Sequence, residues 1–131
     1  MEGKKRGGSV KVLSVRQPWA WLIINAGKDI ENRTWKTKFR GPVYIHASQT
    51  LDVPAMRSIE TLCYPLPIPE ERDFARGEVI GTVEIVDCVT ESNSPWFAGP
   101  YGFVLKNPKP ISPTFRMPGR LGFFELPEVG L

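Results

Sequence analysis

Behind Gly27 the chain reads Lys28-Asp29-Ile30-Glu31-Asn32-Arg33, a KxxExR string that sets an ammonium, a carboxylate and a guanidinium within one short stretch. The cations can donate to phosphate oxygens or to a base edge, and the carboxylate can orient them or accept from an exocyclic amine. Upstream, Ser14-Val15-Arg16-Gln17-Pro18-Trp19 supplies further polar groups. The two strings bracket one segment and define a pocket beside it, with Arg16 and Gln17 on the rim. A surface ion network is the competing account, in which Glu31 pairs with Lys28 or Arg33 and contributes only about 0–1 kcal/mol. Residue types alone leave these two readings level.

A second pattern follows at once. In Arg33-Thr34-Trp35-Lys36-Thr37-Lys38-Phe39-Arg40 cations interleave with aromatics, the mixture that holds single-stranded nucleic acid, each stacked base contributing about 1–3 kcal/mol. An ordinary basic hairpin with Trp35 and Phe39 facing the core is the simpler account and the favoured one. His46, the lone histidine, stands with Tyr44 and Ser48 on one face of a strand. It lacks an obvious third partner there and reads as a satisfied strand histidine. Trp96 lies in a glycine and proline loop, where it can stack on a ligand or cover a sheet edge.

These groups need elements to hold them. Val10 to Val15 reads as a strand. Pro18 suits the first turn of a helix and Gly27 its stop, which predicts a helix from Pro18 to Ala26 with Trp19, Leu22, Ile23 and Ala26 on its apolar face. Lys28 therefore emerges from a rigid element. Glu31 to Trp35 reads as a short strand, Lys36 to Gly41 as a basic connection, and Pro42 to Ser48 as a strand. In the last, Val43, Ile45 and Ala47 face one way, and Tyr44, His46 and Ser48 form a candidate surface on the other. Asp52 to Cys63 has amphipathic helical spacing. Tyr64 to Pro69, with its prolines, reads as an extended loop. Gly77 to Val89 is the longest strand expected. Glu91 to Pro100 reads as a loop, Tyr101 to Lys106 as a strand, Pro108 to Pro118 as a proline-rich connection, and Gly122 to Leu126 as the closing strand. Short strands with two early helices indicate an α+β domain around a small, curved or barrel-like sheet.

Size and composition bound the function. The 131 residues suit one core, and the reading is a flexible basic start over residues 1–9 followed by a single domain over 10–131. A net charge of +3 does not by itself demand a polyanionic partner. The cations nevertheless gather between Lys28 and Arg40, while Glu70 to Glu91 leans acidic. Two spaced cysteines and one histidine offer too few ligands for zinc and no disulfide framework. No metal and no cofactor are expected. With no signal-peptide pattern and no run of 18 apolar residues, the expectation is an intracellular protein off the membrane, cytoplasmic or, in a eukaryote, nuclear.

The run Leu13-Ser14-Val15-Arg16-Gln17-Pro18-Trp19-Ala20, then Lys28 to Trp35, then Arg40-Gly41-Pro42-Val43-Tyr44-Ile45-His46-Ala47-Ser48, resembles the ASCH domain, named after activating signal cointegrator proteins. The likeness spans about residues 11–128, closing on Leu121-Gly122-Phe123-Phe124-Glu125-Leu126. It implies a PUA-like β-barrel with flanking helices, an association with RNA, and a GxKxxExR motif in a cleft beside the preceding helix. Lys28, Glu31 and Arg33 match that motif, whereas Ala26 holds its glycine position and Gly27 follows. Some small members are amidohydrolases of acylated cytidine that use a lysine and a threonine of the motif region. Lys28 matches the lysine, but Glu31 stands where the threonine is placed. A ribonuclease activity is also attributed to bacterial relatives.

The resulting expectation is a nucleic-acid-binding protein, RNA more than DNA, that takes a nucleotide or base into the KxxExR cleft. Ser14, Arg16, Gln17, Trp19, Lys28, Glu31 and Arg33 would form the cleft, Trp35, Lys36, Lys38 and Arg40 a basic track outside it, with His46 and Ser48 nearby. The alternative is a hydrolase of RNA or of a modified nucleoside, with Lys28 as base or nucleophile activator and Glu31 as its partner.

Overall fold

The computed structural model describes residues 9–127. Most of the flexible start expected over residues 1–9 therefore lies outside the described residues, and Ser9 opens the first strand. In chain order the elements are β1 (Ser9–Gln17), α1 (Trp19–Asn25), β2 (Ile30–Arg33), β3 (Gly41–Leu51), α2 (Val53–Cys63), a short 3-10 turn (Glu71–Asp73), β4 (Glu78–Val89), β5 (Tyr101–Arg116) and β6 (Phe123–Pro127). Among these no helix is long and apolar enough to cross a membrane.

Six strands form one sheet in the order β2-β5-β4-β3-β1-β6. Only β1 and β3 run parallel, joined by a crossover that carries α1 and β2; the other neighbours are antiparallel. The fold is thus α+β, as expected. The edge strands β2 and β6 share no ladder, so the sheet is curved but not closed. Aromatic side chains span the seam. Trp35, just past β2, meets Phe123 of β6 edge-on at 5.4 Å, and Phe123 stacks on Phe103 of β5 at 5.9 Å.

The main core lies inside this curve, where Leu13, Val15, Val43, Ile45, Val83, Ile85 and Phe103 pack with Ala20, Ile23 and Ile24 of α1. Leu22, on the other side of α1, packs instead with Ile59 and Cys63 of α2 and with Phe74. The helix is sandwiched, which explains its nearly all-apolar sequence. It is shorter than predicted by one residue at each end. Pro18 sits at the N-cap and Ala26 at the C-cap, donating to the Leu22 carbonyl. Gly27 takes φ +77°, a conformation that side chains disfavour, so the turn after α1 draws on Gly27 and Ala26 is tolerated at the motif's glycine position.

Two expectations change. The face carrying Tyr44 and His46 is not a free surface: a second apolar layer of Val12, Val79 and Phe124, with Ile111, Phe115 and Met117 packed on it, covers that side. The layer exists because β5 continues to Arg116 through the stretch read as a connection. Its prolines are tolerated because β2 pairs only with residues 101–104, leaving the distal half of β5 as an edge, and because the β4–β5 register shifts along that half.

Candidate functional site

The KxxExR string is held at both ends. The Lys28 amide donates to the Leu22 carbonyl at 3.1 Å and so completes the end of α1, while Ile30 to Arg33 pair with Val104 to Tyr101. Between these anchors the charged side chains turn inward. Lys28 is 4% exposed and Glu31 7%. The Lys28 ammonium lies 3.3 Å from Glu31 Oε1 and also donates to the Ile30 carbonyl. Arg33 meets Glu31 Oε2 through Nε at 3.0 Å and Nη2 at 2.9 Å. Its Nη2 also donates to the Ser14 carbonyl at 2.8 Å. The guanidinium thereby ties edge strand β2 to β1 across the open seam.

Burial of Lys28 pushes its pKa below the ordinary value of 10.5, with Glu31 opposing through charge and hydrogen bond, Arg33 adding to the fall, and Asp29 opposing weakly. Glu31 has both oxygens engaged by cations. Lys28 and Arg33 do not exhaust their N–H groups on these partners, so the centre offers donors rather than a free carboxylate. The Lys28 ammonium also lies 5.5 Å from the Trp19 ring centroid.

This centre is the deep part of a cleft of about 1250 Å³. Ser14, Arg16, Trp19, Lys28, Glu31, Arg33, Trp35 and Ser48 of the sequence-derived set line it. Gln17 does not. It is fully buried, donating to the Ala75 carbonyl at 2.9 Å and accepting from the Trp21 amide at 2.9 Å, where it satisfies a free N–H in the first turn of α1. His46 is 1% exposed and bonds to Ser14 and to the Met117 carbonyl. Lys36, Lys38 and Arg40 are exposed and lie outside the cleft lining. Trp35 and Phe39 pack against the main core, as the simpler reading expects, but the segment is not a hairpin, because β2 pairs with β5 and β3 with β1 and β4.

Sequence reasoning missed three contributions. Asn32, an unremarked letter inside the motif, accepts from the Ala98 and Gly99 amides at 2.8 and 3.0 Å and donates to the Trp96 carbonyl at 3.0 Å. With Ser94 donating to Asp29 at 2.6 Å, these bonds fasten the loop that brings Trp96 and Phe97 to the cleft. Gly119, Arg120 and Leu121 line the same space, Leu121 being 98% exposed. They fall between the connection read over Pro108 to Pro118 and the closing strand read from Gly122, and nothing local in them signals a site. Finally, His46 finds its hydroxyl partner in Ser14, not Ser48, because the parallel ladder sets Ser14 opposite His46.

Comparisons with known proteins give the family. The family model described as the ASCH domain matches residues 13–107. The chain is 29% identical over 126 aligned residues to activating signal cointegrator 1 of Homo sapiens and 25% identical to that of Mus musculus. Each alignment takes in 87% of this chain and 22% of the relative, so the chain spans less than a quarter of the length of these curated relatives.

Proposed function

Since the chain belongs to the ASCH domain family, we propose that it binds nucleic acid, RNA in preference to DNA, by taking one unpaired nucleotide into the cleft. One observation carries this reading: a donor-rich centre of buried Lys28 and half-buried Arg33 opens into a cleft lined by the aromatic rings of Trp19, Trp35, Trp96 and Phe97. A flat base with acceptor edges and an anionic phosphate complements such a surface. Stacking supplies affinity without sequence preference, and the cations supply phosphate attraction. Arg16 and Arg120, exposed on the cleft lining, are placed for phosphates at its mouth. Glu31 acts by orienting Lys28 and Arg33, because its oxygens are already engaged.

The test is fluorescence anisotropy with a labelled single-stranded RNA and its DNA counterpart over a range of salt. Affinity should fall with added salt and fall further in Arg16→Ala and Arg120→Ala. Both side chains are exposed, so their loss leaves the fold intact. Each should lower the slope of log affinity against log salt by about 0.7, the single-strand increment per phosphate contact. Wild-type affinity in both variants would remove the cleft from the binding surface.

A further inference from the structure

Ser14 and His46 make a pair that nucleotide binding does not require. They face each other across the parallel β1–β3 ladder, with Ser14 Oγ 2.8 Å from His46 Nδ1. The other ring nitrogen, Nε2, lies 2.7 Å from the Met117 carbonyl oxygen. A carbonyl can only accept, so Nε2 carries the proton, and in the neutral ring Nδ1 is left as an acceptor for the serine hydroxyl. The ring is 1% exposed and edge-on to Phe124 at 6.2 Å, which holds its orientation. Serine, base and a third group that sets the tautomer are therefore aligned, a backbone carbonyl standing where a carboxylate serves in other nucleophilic sites.

The serine also has access. It is half-buried and lines the cleft. Gly119 lies beside it: a Cβ there would come within 2.8 Å of Ser14 Oγ and 3.0 Å of His46 Cε1. A side chain would collide there, so glycine is what lets this backbone pack so close to the pair, and the hydroxyl is approached from the cleft that Ser14 and Gly119 both line. Arg33 donates to the Ser14 carbonyl at 2.8 Å and so holds the backbone that carries the hydroxyl.

We propose that Ser14 and His46 form a catalytic dyad for acyl transfer from carboxylic esters that enter the cleft, with water as the final acceptor. Ser14 Oγ forms a bond to the ester carbonyl carbon as its proton passes to His46 Nδ1. The tetrahedral intermediate collapses by breaking the bond to the alcohol oxygen, which leaves with that proton. Water then adds to the acyl-serine carbon and gives a proton to Nδ1. The second collapse breaks the bond to Oγ, which recovers the proton. Ester and water have become acid and alcohol.

A fluorophosphonate probe tests the nucleophile directly, since Oγ–P formation with loss of fluoride leaves a stable adduct. Mass spectrometry of the folded chain should find that adduct on Ser14, absent in Ser14→Ala. His46→Gln should slow labelling roughly 100-fold, the lower range for a general base. Gly119→Ala should slow it by pushing Oγ and the His46 ring apart, since its Cβ would lie 2.8 Å from Oγ, with circular dichroism reporting that the fold persists. Steady nitrophenolate release from p-nitrophenyl acetate should exceed that of Ser14→Ala. Absence of a Ser14 adduct in the folded wild-type chain, or equal labelling rates with and without His46, would overturn the dyad and leave the pair as a cross-strand hydrogen bond. Neither readout uses nucleic acid, so the result is independent of the binding experiment.

Discussion

Two cationic stretches lie almost end to end in this chain and do opposite things with their charge. In Lys28 to Arg33 the side chains turn in, pair through Glu31, and brace β2 against β1. In Lys36 to Arg40 the cations stay in water; Arg40 lies 3.6 Å from an exposed Asp87 and bonds the Thr37 and Phe39 carbonyls. Burial makes the difference. Desolvated charges must be paired closely and so become rigid, whereas solvated ones remain loose and act mainly through a screened, longer-range field. A binding centre can be built from the first and an electrostatic approach from the second.

Substitutions should separate the two roles. The largest effect is expected for Glu31→Gln, which leaves Lys28 and Arg33 without their shared counter-charge in a buried setting. Urea unfolding should show a loss on the order of 3 kcal/mol; a loss below about 0.5 kcal/mol would mean the triad is effectively a surface network. Asn32→Ala comes next. It strands two loop amides and should cost about 1–3 kcal/mol, with Trp96 emission moving to the red as the loop loosens.

The pH dependence is smaller and its sign is definite. Because the folded-state pKa of Lys28 lies below 10.5, the unfolded chain binds more protons between those two values. Stability contributed by this group must therefore rise with pH through that alkaline window and be least where both states are protonated. Lys28→Met should flatten the rise in denaturant midpoints measured from neutral pH to 10. The smallest stability effect belongs to the double variant Lys36→Ala with Lys38→Ala, within about 0.5 kcal/mol. It should still reduce the salt slope of RNA binding if these side chains meet phosphates, and an unchanged slope would confine binding to the cleft.

How far the site could be read from the chain varies residue by residue. The helix ending at Gly27 and the inward phase of Val43, Ile45 and Ala47 were legible, because caps and period-two alternation are local signals. Gln17 looked like a rim donor and proved to be an internal cap of α1, since the sequence does not show that Ala75 would lie above it. Asn32 looked like filler because its three partners lie 64 to 67 residues away. The distal half of β5 was hidden by its prolines, whose tolerance depends on an unpaired edge that only the sheet order reveals.

By itself the sequence determined the element types apart from the distal half of β5, the α+β class and the triad of charges, all consequences of short-range periodicity and of the chemistry of adjacent residues. The tertiary structure decided which of those charges are buried, which hydroxyl meets His46, and that the stretch from Gly119 to Gly122 lines the cleft. Those outcomes depend on strand register and on contacts between distant segments, and a shift of one residue in a strand reverses the face on which each side chain lies.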